Sequence, residues 1–255
     1  MKQVIVAAAV TLLMASAAAA ESIPASIQAA LADPSRPGAD IARDPFRKPA
    51  AVLAFAGVKP GDRIVDFMSG GGYFTRLLAR AVGTSGRVYA YLPDEEVKNC
   101  DPAETDGSIA LAHDRAYPNI YLLAGPVNAF AAPEPLDLVW TAQNYHDLHD
   151  PFMAPADLAV LDKRIYDSLK PGGVFLVIDH AAEAGSGLRD TNTLHRIDPA
   201  AIVREVKAAG FRLEARSDIL LNPADSHILR VFDPAIRGRT DQVVLKFRKP
   251  GRSGA

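Results

Sequence analysis

The chain has 255 residues, 49% hydrophobic and 23% charged, long enough for one large α/β domain with a full core. Its formal net charge is −2 and no basic run stands out, which argues against nucleic acid as a partner. A small-molecule substrate suits this balance better.

At the N-terminus, Lys2 precedes an apolar run from Val4 to Leu13, and Ala18, Ala19 and Ala20 supply small residues before Glu21. The pattern predicts a signal peptide over 1–20 and a periplasmic or secreted product, with no stable membrane anchor after processing. The single cysteine, Cys100, allows no intramolecular disulfide. Residues 21–48 are small, polar and proline-broken, with a helical candidate at Ile27–Ala32, and read as an N-terminal arm lying on the domain surface. Its charges gather late, at Arg36, Asp40, Arg43, Asp44, Arg47 and Lys48.

From 49 to 249 the pattern is regular. A helix at Ala50–Ala56 and a turn at Lys59-Pro60-Gly61-Asp62 lead to a short apolar strand, Ile64–Phe67. After Ser69-Gly70-Gly71-Gly72, the residues Phe74, Leu77, Leu78, Ala81 and Val82 form one helical stripe. Strands follow at Val88–Leu92, Ile120–Ala124, Leu136–Thr141 and Val174–Asp179. Helices are expected at Ser108–Ala116 and along the stripe Leu158, Leu161, Ile165, Leu169. Asp198 caps a helix that begins at Pro199, and proline suits that position because its missing amide hydrogen would be orphaned there. Phe211–Leu220 and Gln242–Arg248 are the last strands; with no helix between them they should pair antiparallel. The result is a doubly wound, mostly parallel seven-stranded α/β sheet with a C-terminal antiparallel hairpin, then a disordered tail at 250–255.

In such a sheet, ligands bind outside the C-terminal strand ends where the winding reverses. Ser69, Gly70, Gly71 and Gly72 stand there, between a strand carrying Asp66 and an amphipathic helix. Glycines admit positive φ and a close ligand, and the helix N-terminus offers free amide hydrogens. Tyr73, at the helix start, points toward the same cleft.

Asp66, Phe67, Met68, Ser69, Gly70, Gly71 and Gly72 resemble motif I of class I S-adenosylmethionine-dependent methyltransferases. Lys59-Pro60-Gly61-Asp62, Leu169-Lys170-Pro171-Gly172-Gly173 and Ala209-Gly210-Phe211 resemble that family's turns before its first, fifth and sixth strands. Arg43-Asp44, Arg47-Lys48-Pro49, Gly70-Gly71-Gly72-Tyr73 and Asn144-Tyr145-His146-Asp147 are similar to a group of exported predicted methyltransferases of Gram-negative bacteria. The resemblance implies a Rossmann-like methyltransferase fold, S-adenosylmethionine as cofactor, and methyl transfer to a small-molecule acceptor. It implies cofactor contacts from Asp66, Ser69, Gly70, Gly71, Gly72, Tyr73 and Asn144. After the third strand, neutral Asn128 takes the place of the acid usually found near the adenine. Two departures stand out: Met68 occupies a common glycine position, and the acids Asp94 and Glu95 come slightly late after Tyr91-Leu92-Pro93.

Such enzymes place substrate-facing residues after the fourth strand, which makes Tyr145 and His146 the catalytic candidates, to orient a nucleophile or take its proton. His146, Asp147, His149 and Asp150, with Asp179 and His180, also have ligand types that suit a divalent metal. No zinc motif is present, and no metal is expected. His195 and Arg196 stand where a lid would bring them to the site; Trp140 reads as core and His227 as structural. A non-catalytic exported ligand-binding protein that keeps the fold is the alternative reading. A nicotinamide-dependent oxidoreductase is disfavoured because Thr75 stands where the dinucleotide fingerprint requires glycine.

Overall fold

The computed structural model describes residues 22–154 and 156–251; the expected signal peptide (1–20) and the tail from residue 252 lie outside them. Four helices come first: α1 (Ala25–Leu31), α2 (Gly38–Ile41), α3 (Asp44–Arg47) and α4 (Pro49–Ala56). Then follow β1 (Arg63–Phe67), α5 (Tyr73–Val82), β2 (Arg87–Pro93), α6 (Asp94–Asn99) and α7 (Pro102–Leu111). The second half contains β3 (Ile120–Gly125), β4 (Leu136–Ala142), α8 (Leu158–Ser168), β5 (Leu169–His180), α9 (Thr191–Leu194), α10 (Pro199–Ala208), β6 (Arg212–Ser217) and β7 (Gln242–Arg248).

The strands form one seven-stranded sheet in the order β3-β2-β1-β4-β5-β7-β6. All pairings are parallel except those of β7, which runs antiparallel to both β5 and β6. The winding reverses between β1 and β4, so their C-terminal ends flank the crevice where a doubly wound sheet takes its ligand. Alternate residues of each central strand enter different cores. Ile64, Leu138 and Leu176 join α4 and α5 on one face, while Val65, Val139 and Val177 face α8 and α10 on the other.

Two local expectations change. The arm contributes to the core rather than resting on it: α1 packs on α5, and Ile27 and Ala30 are fully buried. Removing Ile27 from water is worth about 1.5–3 kcal/mol, enough to hold a seven-residue helix that would not persist alone. The helix expected at Ser108–Ala116 starts earlier, at Pro102, because Asp101 caps it through Oδ1 on the Ala103 amide (2.9 Å). This is the Asp-Pro start that also opens α10, where Asp198 accepts from the Ala200 amide at 2.9 Å. Among the described residues no helix is long and apolar enough to cross a membrane.

Candidate functional site

Between β1 and α5 the chain turns within five residues by entering the left-handed region three times, at Met68 (φ 56°), Gly70 (53°) and Gly72 (79°). The loop is clamped from α7. Ser108 donates through Oγ to the Gly70 carbonyl (2.6 Å) and accepts from the Ser69 hydroxyl (2.8 Å). Gly107 lies against Gly71 so closely that a Cβ there would stand 2.6 Å from the Gly71 oxygen. From the other side, Asn144 donates through Nδ2 to the Met68 carbonyl (2.6 Å) and accepts from the Thr141 hydroxyl (2.9 Å). Asn144 thus ties the end of β4 to the end of β1. Asp66 accepts from the Thr75 hydroxyl at 2.6 Å. Burial pushes its carboxyl up to about 7, against the opposing effects of Thr75 and the Arg47 charge.

Two cavities of about 430 and 310 Å³ open around this loop and share Met68, Gly70, Gln143 and Asn144. Each falls within the range of about 300–1,000 Å³ typical of small-molecule sites. The smaller one is roofed by α3, which delivers Arg43 and Arg47. The Arg47 guanidinium lies 4.7 Å from the centre of the Tyr73 ring and 5.5 Å from that of Phe74, and donates to Gln143 Oε1 at 2.5 Å. Burial, and then the neighbouring Arg43 charge, lower its pKa to about 10. Tyr73 faces this arm: its hydroxyl donates to Asp44 Oδ1 (2.7 Å), which also pairs with Arg36 at 2.6 Å.

The larger cavity receives Glu96 from α6, a buried acid absent from the sequence reading. Asp94 is exposed, and Glu95 turns aside to accept from the Val127 amide at 3.0 Å. The acid late after β2 is therefore Glu96. Asn128 does not reach the cleft; its Oδ1 accepts from the Asp157 amide (2.8 Å).

Beyond Asn144 the two catalytic candidates separate. Tyr145 is 1% exposed and does not line either cavity around the loop. Its hydroxyl donates to Asp162 of α8 (2.9 Å), with Glu205 of α10 at 3.2 Å. His146 does line the larger cavity. Buried Asp179 accepts from both its backbone amide (2.7 Å) and its Nδ1 (2.8 Å), while Nε2 lies 3.0 Å from Asp147 Oδ1. Burial alone would depress this imidazole's pKa, but Asp179 and Asp147 outweigh it and hold the value well above normal.

His195 arrives from the end of α9 in a left-handed conformation (φ 53°), with Nδ1 3.4 Å from His146 Nε2 and 3.5 Å from Asp147 Oδ1. Met68, Gln143 and His195, three of the five described non-glycine residues with positive φ, line this one cavity. The other candidates lie elsewhere. Arg196 is fully buried against Asp225 (2.9 Å), His149 lies 3.2 Å from Glu205, and His227 pairs with Asp241 at 3.0 Å. His180 lines the cavity, with Nδ1 2.7 Å from the Thr240 hydroxyl; burial and the charge at His146 push its pKa well down.

A seven-stranded sheet in this order, a glycine loop after β1 and a reversed β7 form one architecture. The fold is that of class I methyltransferases. It is 27% identical over 195 residues to the ubiquinone/menaquinone biosynthesis C-methyltransferase UbiE of Teredinibacter turnerae, covering 76% of this chain and 67% of that one. An S-adenosylmethionine-dependent methyltransferase of Aquifex aeolicus superposes with a TM-score of 0.54 at 16% identity, over 81% of this chain and 98% of that one. The [4+2]-cyclase SpnF superposes at 0.56 with 17% identity, over 84% and 81%. No protein-family model matches. Within this methyltransferase-like fold, the sequence alone did not point to Glu96, Gly107 and Ser108. The Asp101-Pro102 cap signal was the available clue to α7, which carries the last two.

Proposed function

We propose that the chain binds S-adenosylmethionine across the glycine loop and transfers its methyl group to a small-molecule acceptor held beside His146 and His195. The observation that carries this reading is the convergence of Arg47, the Met68–Gly72 loop and Glu96 on two cavities that share four residues. Each group suits one part of the cofactor. Arg43 and Arg47 suit the amino-acid carboxylate, loop amides suit its polar oxygens, and Glu96 is an acceptor for ribose hydroxyls. In the transfer, an acceptor lone pair attacks the methyl carbon as the sulfur–carbon bond breaks, and the sulfonium becomes a neutral thioether. Alignment supplies most of the catalysis. His146, with both ring nitrogens against carboxylates, is suited to hold a proton and orient the site. His195 or Asp147 is the better-placed proton acceptor.

The second reading is a non-catalytic ligand-binding protein. Two observations favour it: Met68 is buried where backbone approach would be expected, and both ring nitrogens of His146 are already engaged by the carboxylates of Asp179 and Asp147. The likeness to a [4+2]-cyclase also separates this fold from methyl transfer. Calorimetry with S-adenosylmethionine and its demethylated product tests the cofactor step. Binding that weakens at least about tenfold in Arg47→Ala supports the proposal, since a charge-assisted hydrogen bond is worth about 1.5–3 kcal/mol. A folded protein giving no heat with millimolar ligand would sink it. Binding without transfer to any acceptor would leave the second reading. We further propose export, supported by the Lys2–Ala20 pattern; a mature protein from its native host that retains residues before Glu21 would refute it.

A further inference from the structure

We propose that His146, Asp147 and His195 form a three-ligand site for a zinc-class divalent ion, facing the larger cavity. This inference does not depend on the methyl-transfer reading. The donor atoms His146 Nε2, Asp147 Oδ1 and His195 Nδ1 are separated by 3.0, 3.4 and 3.5 Å. Donors about 2.0–2.1 Å from a tetrahedral zinc ion stand about 3.3 Å apart, so one ion fits among all three with little movement. Two imidazoles and one carboxylate are a donor set that a borderline ion such as zinc favours.

The surroundings support this assignment independently. Asp179, fully buried, accepts from His146 Nδ1 and from two backbone amides, at 2.7 and 2.8 Å. That fixes the proton on Nδ1 and aims Nε2 at the cluster, the carboxylate–histidine arrangement that commonly supports a metal-binding imidazole. His195 is brought in by a left-handed backbone that a histidine adopts at a cost of about 1 kcal/mol or more. All three donors line the cavity, which leaves a fourth position open on the side of Met68, Gly70 and Glu96. Exposed Arg230 donates to His195 Nε2 at 2.9 Å. Ligation through Nδ1 requires a proton on Nε2, so metal entry would displace Arg230 to the solvent side. No metal is expected from the sequence; of the ligand-type residues it offers after β4, His146 and Asp147 stand in this cluster and His149 and Asp150 do not, whereas His195 joins from a distant loop.

The test uses chelator-stripped full-length protein titrated with zinc chloride, followed by calorimetry and by thermal unfolding, together with elemental analysis of the protein as purified. One equivalent bound, with a rise in melting temperature, is expected. Asp147→Asn is nearly isosteric, and His195→Asn keeps a residue type that tolerates left-handed backbone, so both should fold. Each should weaken zinc binding at least about tenfold, as should Asp179→Asn acting through His146. Arg230→Ala should strengthen it, and His113→Ala, on the exposed surface, should leave it unchanged. No stoichiometric binding by the wild-type protein would overturn the proposal, as would equal binding by folded Asp147→Asn and His195→Asn.

Discussion

Gly107→Ala is the change whose outcome most directly tests how the glycine loop is held. In a helix interior, alanine is normally favoured over glycine by about 1 kcal/mol, and α7 alone would gain by it. The new Cβ, however, would sit 2.6 Å from the Gly71 oxygen and 2.8 and 2.9 Å from its Cα and carbonyl carbon. Those neighbours are backbone and cannot rotate away. Reaching ordinary contact at 3.4 Å requires α7 and the loop to part by about 0.8 Å, which disturbs the Ser108–Gly70 and Ser69–Ser108 bonds. Overpacking of this kind costs about 1–3 kcal/mol, so the net change should be a loss of about 0–2 kcal/mol despite the propensity gain. The same displacement should weaken S-adenosylmethionine binding about tenfold, equivalent to about one lost hydrogen bond. Urea unfolding and calorimetry read the two effects. Gly38→Ala, with nothing within 4 Å of its added carbon, is the control. A Gly107→Ala protein more stable than wild type, with unchanged affinity, would refute this account of the clamp.

Tyr145→Phe should cost about 1–2 kcal/mol in urea unfolding and leave ligand affinity untouched, because the hydroxyl serves Asp162 rather than the cleft. Glu96→Gln should weaken binding of the cofactor about 10- to 100-fold by calorimetry; unchanged affinity would remove Glu96 from the ribose role. Asp162 is buried, and its carboxyl is pushed up to about 7. Between about pH 4 and 7 the native state therefore holds a proton that the unfolded chain has released, and stability falls as pH rises through that window. Asp162→Asn should flatten the pH dependence of unfolding by about 2–4 kcal/mol across it; an unchanged slope would show that Asp162 is already ionised in the native protein.

Local chemistry wrote much of this protein into its sequence. Short apolar strands, an amphipathic stripe after four small residues and an Asp-Pro helix start determined the α/β alternation and put the glycine loop at a strand end. The absence of a helix between the last two strands determined their antiparallel pairing, which the structure has. What depended on tertiary structure were relations between distant segments. Ile27 gives no local sign that it completes the core over α5, and Tyr145 and His146, adjacent in the chain, face opposite ways once the turn after β4 is set. Glu96, rather than Asp94 or Glu95, meets the cavity because helical geometry turns only one of three consecutive acids inward. His195 reaches His146 across 49 residues, through a backbone conformation set by packing rather than by residue type. Periodicity and capping act over a few residues and are legible in order. A site at the winding reversal is assembled from strand ends and loops far apart in the chain, and only the packed sheet brings them within bonding distance.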